Sequence, residues 1–107
     1  MSVSTHVLDA VTGGPATDLL VALEARSSQD RWLLLAERTT DQDGRITDLA
    51  AELAAGVYRI RFDVERYLGA GCFYPEVTVT FRVVDSPSHY HVPLLLSPFA
   101  YSTYRGS

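Results

Sequence analysis

An all-β sandwich of about eight short strands with one short helix is the fold this 107-residue sequence predicts, on three observations. Apolar and polar residues alternate with a period of two in several segments, most clearly in "VYRIRFDV" and "EVTVTFRVVD". Turn residues separate such segments at short intervals. Only "ERYLGAG" reads as a helix, a single one stopped by Gly69, and no internal repeat is present.

The elements follow in chain order. Residues 3–9 form a first strand, closed by "VTGGPATD", where Gly13, Gly14 and Pro15 break regular structure. Residues 19–26 form a second, with Val21, Leu23 and Ala25 alternating against polar Glu24 and Arg26. "SSQD" is a hairpin connection, and the chain returns over residues 32–39. "TTDQDGRIT" is a turn with Gly44 at its corner and a short strand after it. "DLAAELAAG" has helical propensity but is too short to stand alone, so one loose turn is expected. Residues 57–64 alternate strongly and form a strand, as does the run opened by Pro75. "SPS" turns the chain, and two further strands lie within residues 89–104. Pro93 lacks an N–H, which places its strand at a sheet edge or a bulge.

A chain of this length forms one domain, residues 1–107, with a real but modest core. Hydrophobic residues make up 47% and charged residues 21%, as in ordinary globular chains. No apolar run approaches membrane-spanning length, and no charged n-region with an apolar stretch opens the chain, so the cytoplasm is the expected compartment. A net charge of -4 argues against nucleic acid or an anionic membrane as partner. Cys72 is the only cysteine, which excludes an intrachain disulfide and suits a small buried hydrophobe. All nine basic residues are arginines, so Schiff-base chemistry and a phosphate-loop lysine are excluded. Any cationic group that handles a substrate is therefore Arg or protonated His.

Three histidines carry the chemical interest. Alternation puts Ser4, His6 and Leu8 on one face of the first strand, and His89 and His91 share a face of theirs. Each alone reads as a hydrogen-bonded structural side chain. Together they match the ligand set of a three-histidine zinc site, so a zinc-dependent hydrolase stays open. "DQDG" lacks the further oxygen ligands of a calcium loop and reads as a solvated turn. Arg45, beside Gly44, suits recognition of a planar anion or amide, or is an exposed turn residue. No phosphate cradle, nucleophile elbow or CxxC is present, which leaves activation of water by histidine as the simplest enzymatic mechanism.

Four segments, "STHVLDAVTGGPA", "TTDQDGRIT", "GVYRIRFDVERYLGAGCFYPEV" and "HYHVPLLLSPFAYSTYRGS", together resemble the 5-hydroxyisourate hydrolases, transthyretin-like enzymes of purine breakdown. The terminal "YRGS" is the hallmark of the enzyme branch; Ala100 stands where glycine is common. The hormone carrier transthyretin is similar in "HVLDAVTGGPA" and "LLLSPFAYST" but lacks the tail and the first-strand histidine. A small-ligand carrier is therefore the alternative from another class. The resemblance implies an eight-stranded transthyretin-like sandwich and a homotetramer, a dimer of dimers, with active sites along a channel at the dimer–dimer face. It implies 5-hydroxyisourate as substrate and 2-oxo-4-hydroxy-4-carboxy-5-ureidoimidazoline as product, with no metal or organic cofactor. Carried over by residue, His6 and His91 are the catalytic histidines, Arg45 the essential arginine and Tyr104 a substrate contact; His6 and Arg45 also bind substrate. On this reading, residues added after Ser107 would harm activity more than the same residues before Met1.

Overall fold

The computed structural model describes residues 2–84 and 88–106. Its elements in order are β1 (Ser2–Asp9), β2 (Gly14–Pro15), β3 (Leu20–Arg26), β4 (Trp32–Thr39), β5 (Arg45–Ala50), β6 (Gly56–Asp63), α1 (Val64–Leu68), β7 (Glu76–Val83), β8 (His89–Leu96) and β9 (Tyr101–Thr103). Two sheets face one another. One runs β2-β1-β8-β9, with β5 paired to the same edge of β1 as β2; the other runs β4-β3-β6-β7. The predicted two-sheet sandwich with a single short helix is what forms.

Period-two alternation builds the core. Val3 and Val7 of β1 and Tyr90, Val92, Leu94 and Leu96 of β8 point inward from the first sheet. Val21, Leu23, Tyr58, Ile60, Phe62 and Val77 meet them from the second. Phe62 is fully buried, so Phe62→Ala would cost about 3–5 kcal/mol. Asp63 caps α1 by accepting from the Arg66 N–H, and Gly69 ends it. Cys72 is half-buried and packs against this core.

Three expectations need correction. "DLAAELAAG" holds no helical turn: residues 48–50 finish β5, because Ala50 pairs with Val3 of β1 across a register shift. The pairing outweighs a helix propensity that is weak over so few residues. Gly14 and Pro15 do not break regular structure but form β2, opposite Asp9 and Leu8. The third concerns Pro93, whose strand is internal, parallel to β1 on one side and antiparallel to β9 on the other. The β8–β9 register continues to a bridge between His91 and Gly106, and the ladder lapses between them, where Pro93 has no N–H to give. There the Thr103 hydroxyl donates to the Pro93 carbonyl instead (2.7 Å). The turn expected at "SPS" lies outside the described residues except for Ser88.

Candidate active site

The outer face of the β1/β5/β8 sheet gathers the predicted groups. Parallel pairing sets Ser2 opposite His89 and Ser4 opposite His91, while antiparallel pairing sets His6 opposite Arg45. Core residues occupy the alternate positions, so all six of these side chains fall on the outer face. Gly44, at φ 74°, makes the corner that delivers Arg45: its carbonyl accepts from the Val7 N–H (2.7 Å), and an added Cβ would lie 2.4 Å from the Val7 carbonyl oxygen. Only glycine fits both demands. Asp41 fastens the turn by accepting from the N–H groups of Asp43 and Arg45, each at 2.9 Å. The Arg45 N–H, more than desolvation opposes, holds the Asp41 carboxyl below the usual range.

Arg45 lies between two open depressions. One, of about 340 Å³, is lined by Ser4, Thr5, Arg45, Thr47, His89 and His91. The other, of about 440 Å³, includes His6, Pro15, Asp43 and Arg45. Thus His91 and Arg45 meet directly in one hollow, and His6 joins them through the next. Tyr104 lines neither; it borders an apolar cavity with Phe81, Tyr90 and Val92 at the sandwich edge. Arg105 stacks there on the Tyr90 ring, 4.3 Å from its centroid.

Hydrogen bonds orient the imidazoles. His6 Nε2 lies 2.9 Å from the Asp43 carbonyl, which can only accept, so this nitrogen carries a proton. The Ser4 hydroxyl sits between His91 Nδ1 (2.7 Å) and His89 Nε2 (2.8 Å), and Ser2 Oγ reaches His89 Nδ1 (2.5 Å). On the other side of His91, the Gly106 N–H donates to the His91 carbonyl (2.8 Å). A Cβ at residue 106 would lie 2.5 Å from His91 Cδ2, so the glycine lets the tail pack flush against the ring. Burial, then the charges of Arg45, His89 and His6, hold the His91 imidazole below the ordinary histidine range, against an opposing hydrogen bond that its ring N–H donates to the Ser4 backbone. At neutral pH His91 is a neutral base beside a fixed cation.

Sequence reasoning missed the roles of Ser4, Ser2, His89 and Gly106. Alternation put Ser4 beside His6 on one face, but its contact with His91 exists only through the β1–β8 register, 87 residues apart. Among the described residues, no three of His, Cys, Asp and Glu converge to hold a metal ion, which gives the three-histidine zinc reading no geometric support. Again among the described residues, no helix is long and apolar enough to cross a membrane.

Comparison with known proteins identifies the family. Residues 3–106 match the HIUase/Transthyretin family. The chain is 46% identical over 109 residues to the 5-hydroxyisourate hydrolase of Salmonella dublin, covering 97% of this chain and 79% of that protein. It is 42% identical over 120 residues to the uric acid degradation bifunctional protein TTL of Arabidopsis thaliana, covering 98% of this chain but 37% of that longer one. Among solved structures, sea bream transthyretin in complex with thyroxine superposes with a TM-score of 0.93 at 33% identity, over 99% of this chain and 95% of that one. With the family matched over residues 3–106 and the fold shared with transthyretin, the chain belongs to the HIUase/Transthyretin family.

Proposed function

We propose that this chain is a 5-hydroxyisourate hydrolase that opens the six-membered ring at an amide bond, giving 2-oxo-4-hydroxy-4-carboxy-5-ureidoimidazoline. The observation that carries the reading is the outer-face hollow in which a neutral His91 meets Arg45, in a chain 46% identical to a named hydrolase and 33% identical to sea bream transthyretin. Ser4 occupies His91 Nδ1, which leaves Nε2 as the nitrogen free for the hollow. His91 Nε2 takes a proton from water as the oxygen attacks the ring carbonyl, then returns it to the departing ring nitrogen. Arg45, whose guanidinium has no hydrogen-bond or ion-pair partner among the described residues, holds the planar ring and offsets charge on the carbonyl oxygen. Because the Asp43 carbonyl holds its Nε2–H, His6 offers Nδ1 to the water or a ring N–H. The carboxyl product ionises at neutral pH, so one proton is released per ring opened.

A cytoplasmic homotetramer, one catalytic domain per chain, completes the proposal. Support comes from the outer edge of β9, which no strand pairs among the described residues, and from the aromatic cluster of Phe73, Tyr74 and Tyr101 beside it. Tyr104 is 60% exposed and lines a different hollow from Arg45 within its own chain, which suits contact with substrate across a subunit boundary. Light scattering should give four times 11.8 kDa; a monomer would remove the shared-site reading. The function is tested by generating 5-hydroxyisourate with a urate oxidase and following its ultraviolet decay. Acceleration that survives exhaustive chelation is expected. A spontaneous rate left unchanged by the protein defeats the proposal, and activity lost to chelation would revive the zinc alternative.

A further inference from the structure

His89 and Ser2 have no part in the chemistry above, and Ser4 only occupies His91 Nδ1, yet the three form one continuous hydrogen-bonded line with His91, each gap between 2.5 and 2.8 Å. A serine hydroxyl has a single proton and stands here between two imidazole nitrogens. It can donate to only one of them, so the other must donate to it. One polarity leaves His91 with a bare Nε2: His91 Nδ1–H donates to Ser4 Oγ, Ser4 O–H donates to His89 Nε2, and His89 Nδ1–H donates to Ser2 Oγ. The reverse polarity puts the His91 proton on Nε2 and abolishes the base.

The second consideration is charge. When Nε2 takes a proton from water, His91 becomes a cation next to Arg45, with His6 beyond it, and both are unfavourable neighbours. His89 is more exposed than His91, at the solvent end of the line. We propose that Ser4 and His89 act behind His91 as a proton relay, which fixes its base-competent tautomer and moves the positive charge outward from Arg45 to His89. The balance closes. Nε2 gains a proton from water, the Nδ1 proton passes to Ser4, and the Ser4 proton passes to His89 Nε2. His91 is then neutral, Ser4 is again a hydroxyl and His89 is the imidazolium. When Nε2 gives its proton to the departing nitrogen, the same shifts run backwards and restore the start. Arg45 from β5, His6 from β1 and His89 from β8 itself are the charged or titratable groups that bear on His91.

This inference rests on the hydrolase reading, and its test separates the two. Ring ¹⁵N shifts of the resting protein, measured without substrate, should show His91 protonated on Nδ1 and His89 accepting at Nε2; a His91 Nε2–H tautomer overturns the relay. In the ultraviolet assay, Ser4→Ala and His89→Gln should each lower kcat by about 10-fold or more at little changed KM, part of the ~10²–10⁴ that a positioned base supplies. Ser4→Thr, which keeps the hydroxyl, should restore most of the rate. The wild-type rate should curve with deuterium content, as when several protons move together, and become linear in both defective variants. An active wild type with His89→Gln within twofold of it, or with a linear deuterium dependence, overturns the relay and leaves the hydrolase reading intact. An inactive wild type defeats the hydrolase reading instead.

Discussion

The two outer faces of the sandwich both carry arginines, but they treat them in opposite ways. On the β3/β6 face the pairing sets Glu24 opposite Arg59, with Arg61 beside it opposite Ala22. Glu24 is 7% exposed and is bound by Arg59 at 2.5 Å and Arg61 at 3.1 Å, while Arg59 also stacks over Trp32. Burial alone would raise the Glu24 carboxyl, but hydrogen bonds and charge from the two arginines outweigh it and hold it low. On the β1/β8 face, Arg45 faces three imidazoles with no ion pair among the described residues. Compensated charge stabilises a fold, whereas uncompensated charge beside a neutral base is available to a substrate.

Substitutions should therefore separate the faces, activity responding on one and stability on the other. The largest expected effect is His91→Ala, which should lower kcat by about 10²–10⁴ with the melting temperature little changed. Arg45→Ala should cost about 10²–10³, and His6→Ala should also lower turnover strongly. Wild-type rates with any of these would strike that residue from the site. On the other face, Glu24→Ala leaves Arg59 and Arg61 side by side on β6 without their shared carboxylate, Arg61 keeping only Glu76 at 3.3 Å. A fully buried pair broken this way costs ~3–5 kcal/mol. With Arg59 and Arg61 side chains 26% and 34% exposed, about 1–3 kcal/mol is expected in denaturant unfolding, with kcat retained by the folded fraction. A kcat loss without a stability loss would break the contrast.

Smaller effects sharpen it. Gly106→Ala should displace the His91 ring and lower kcat by roughly tenfold, about 1.4 kcal/mol in barrier, while the core stays folded. Unchanged kinetics would mean that the tail does not hold the ring. The smallest effect is in pH. His91 titrates below the ordinary histidine range, so activity is full above that point and is lost as pH falls through it. In an NMR titration, Arg45→Gln should raise the His91 pKa; no change would show that Arg45 does not act on it. Glu24 and Asp9 are both held low, Asp9 because donors from Tyr67, Thr12 and Val11 outweigh its burial. Their contribution to stability is present above the unfolded carboxylate range and is lost as pH falls through their lowered folded values.

What could be read from the residues alone divides along the same line. The strands of the β3/β6 sheet were legible because alternation is local: residues 57–64 announce an inward Tyr58, Ile60 and Phe62 before any partner is known. His6, Arg45 and His91 were legible through family resemblance, and alternation placed His6 and His91 on strand faces. Glu24 read as a plain polar position, since its burial depends on two arginines brought over by strand pairing. The same limit hid the Ser4–His89 line, which needs β1 and β8 in parallel register. Pro93 misled because a missing N–H signals an edge only when the neighbour on that side needs the donor, and here β9 leaves a gap opposite it.

The contrast between the faces can be tested in one experiment: the ultraviolet decay of freshly generated 5-hydroxyisourate with wild type, His91→Ala and Glu24→Ala, each verified folded at the assay temperature. Wild type and Glu24→Ala should accelerate the decay alike, and His91→Ala should leave it near the spontaneous rate. Equal acceleration by His91→Ala, or none by wild type, would contradict the assignment of the β1/β8 face as the active site.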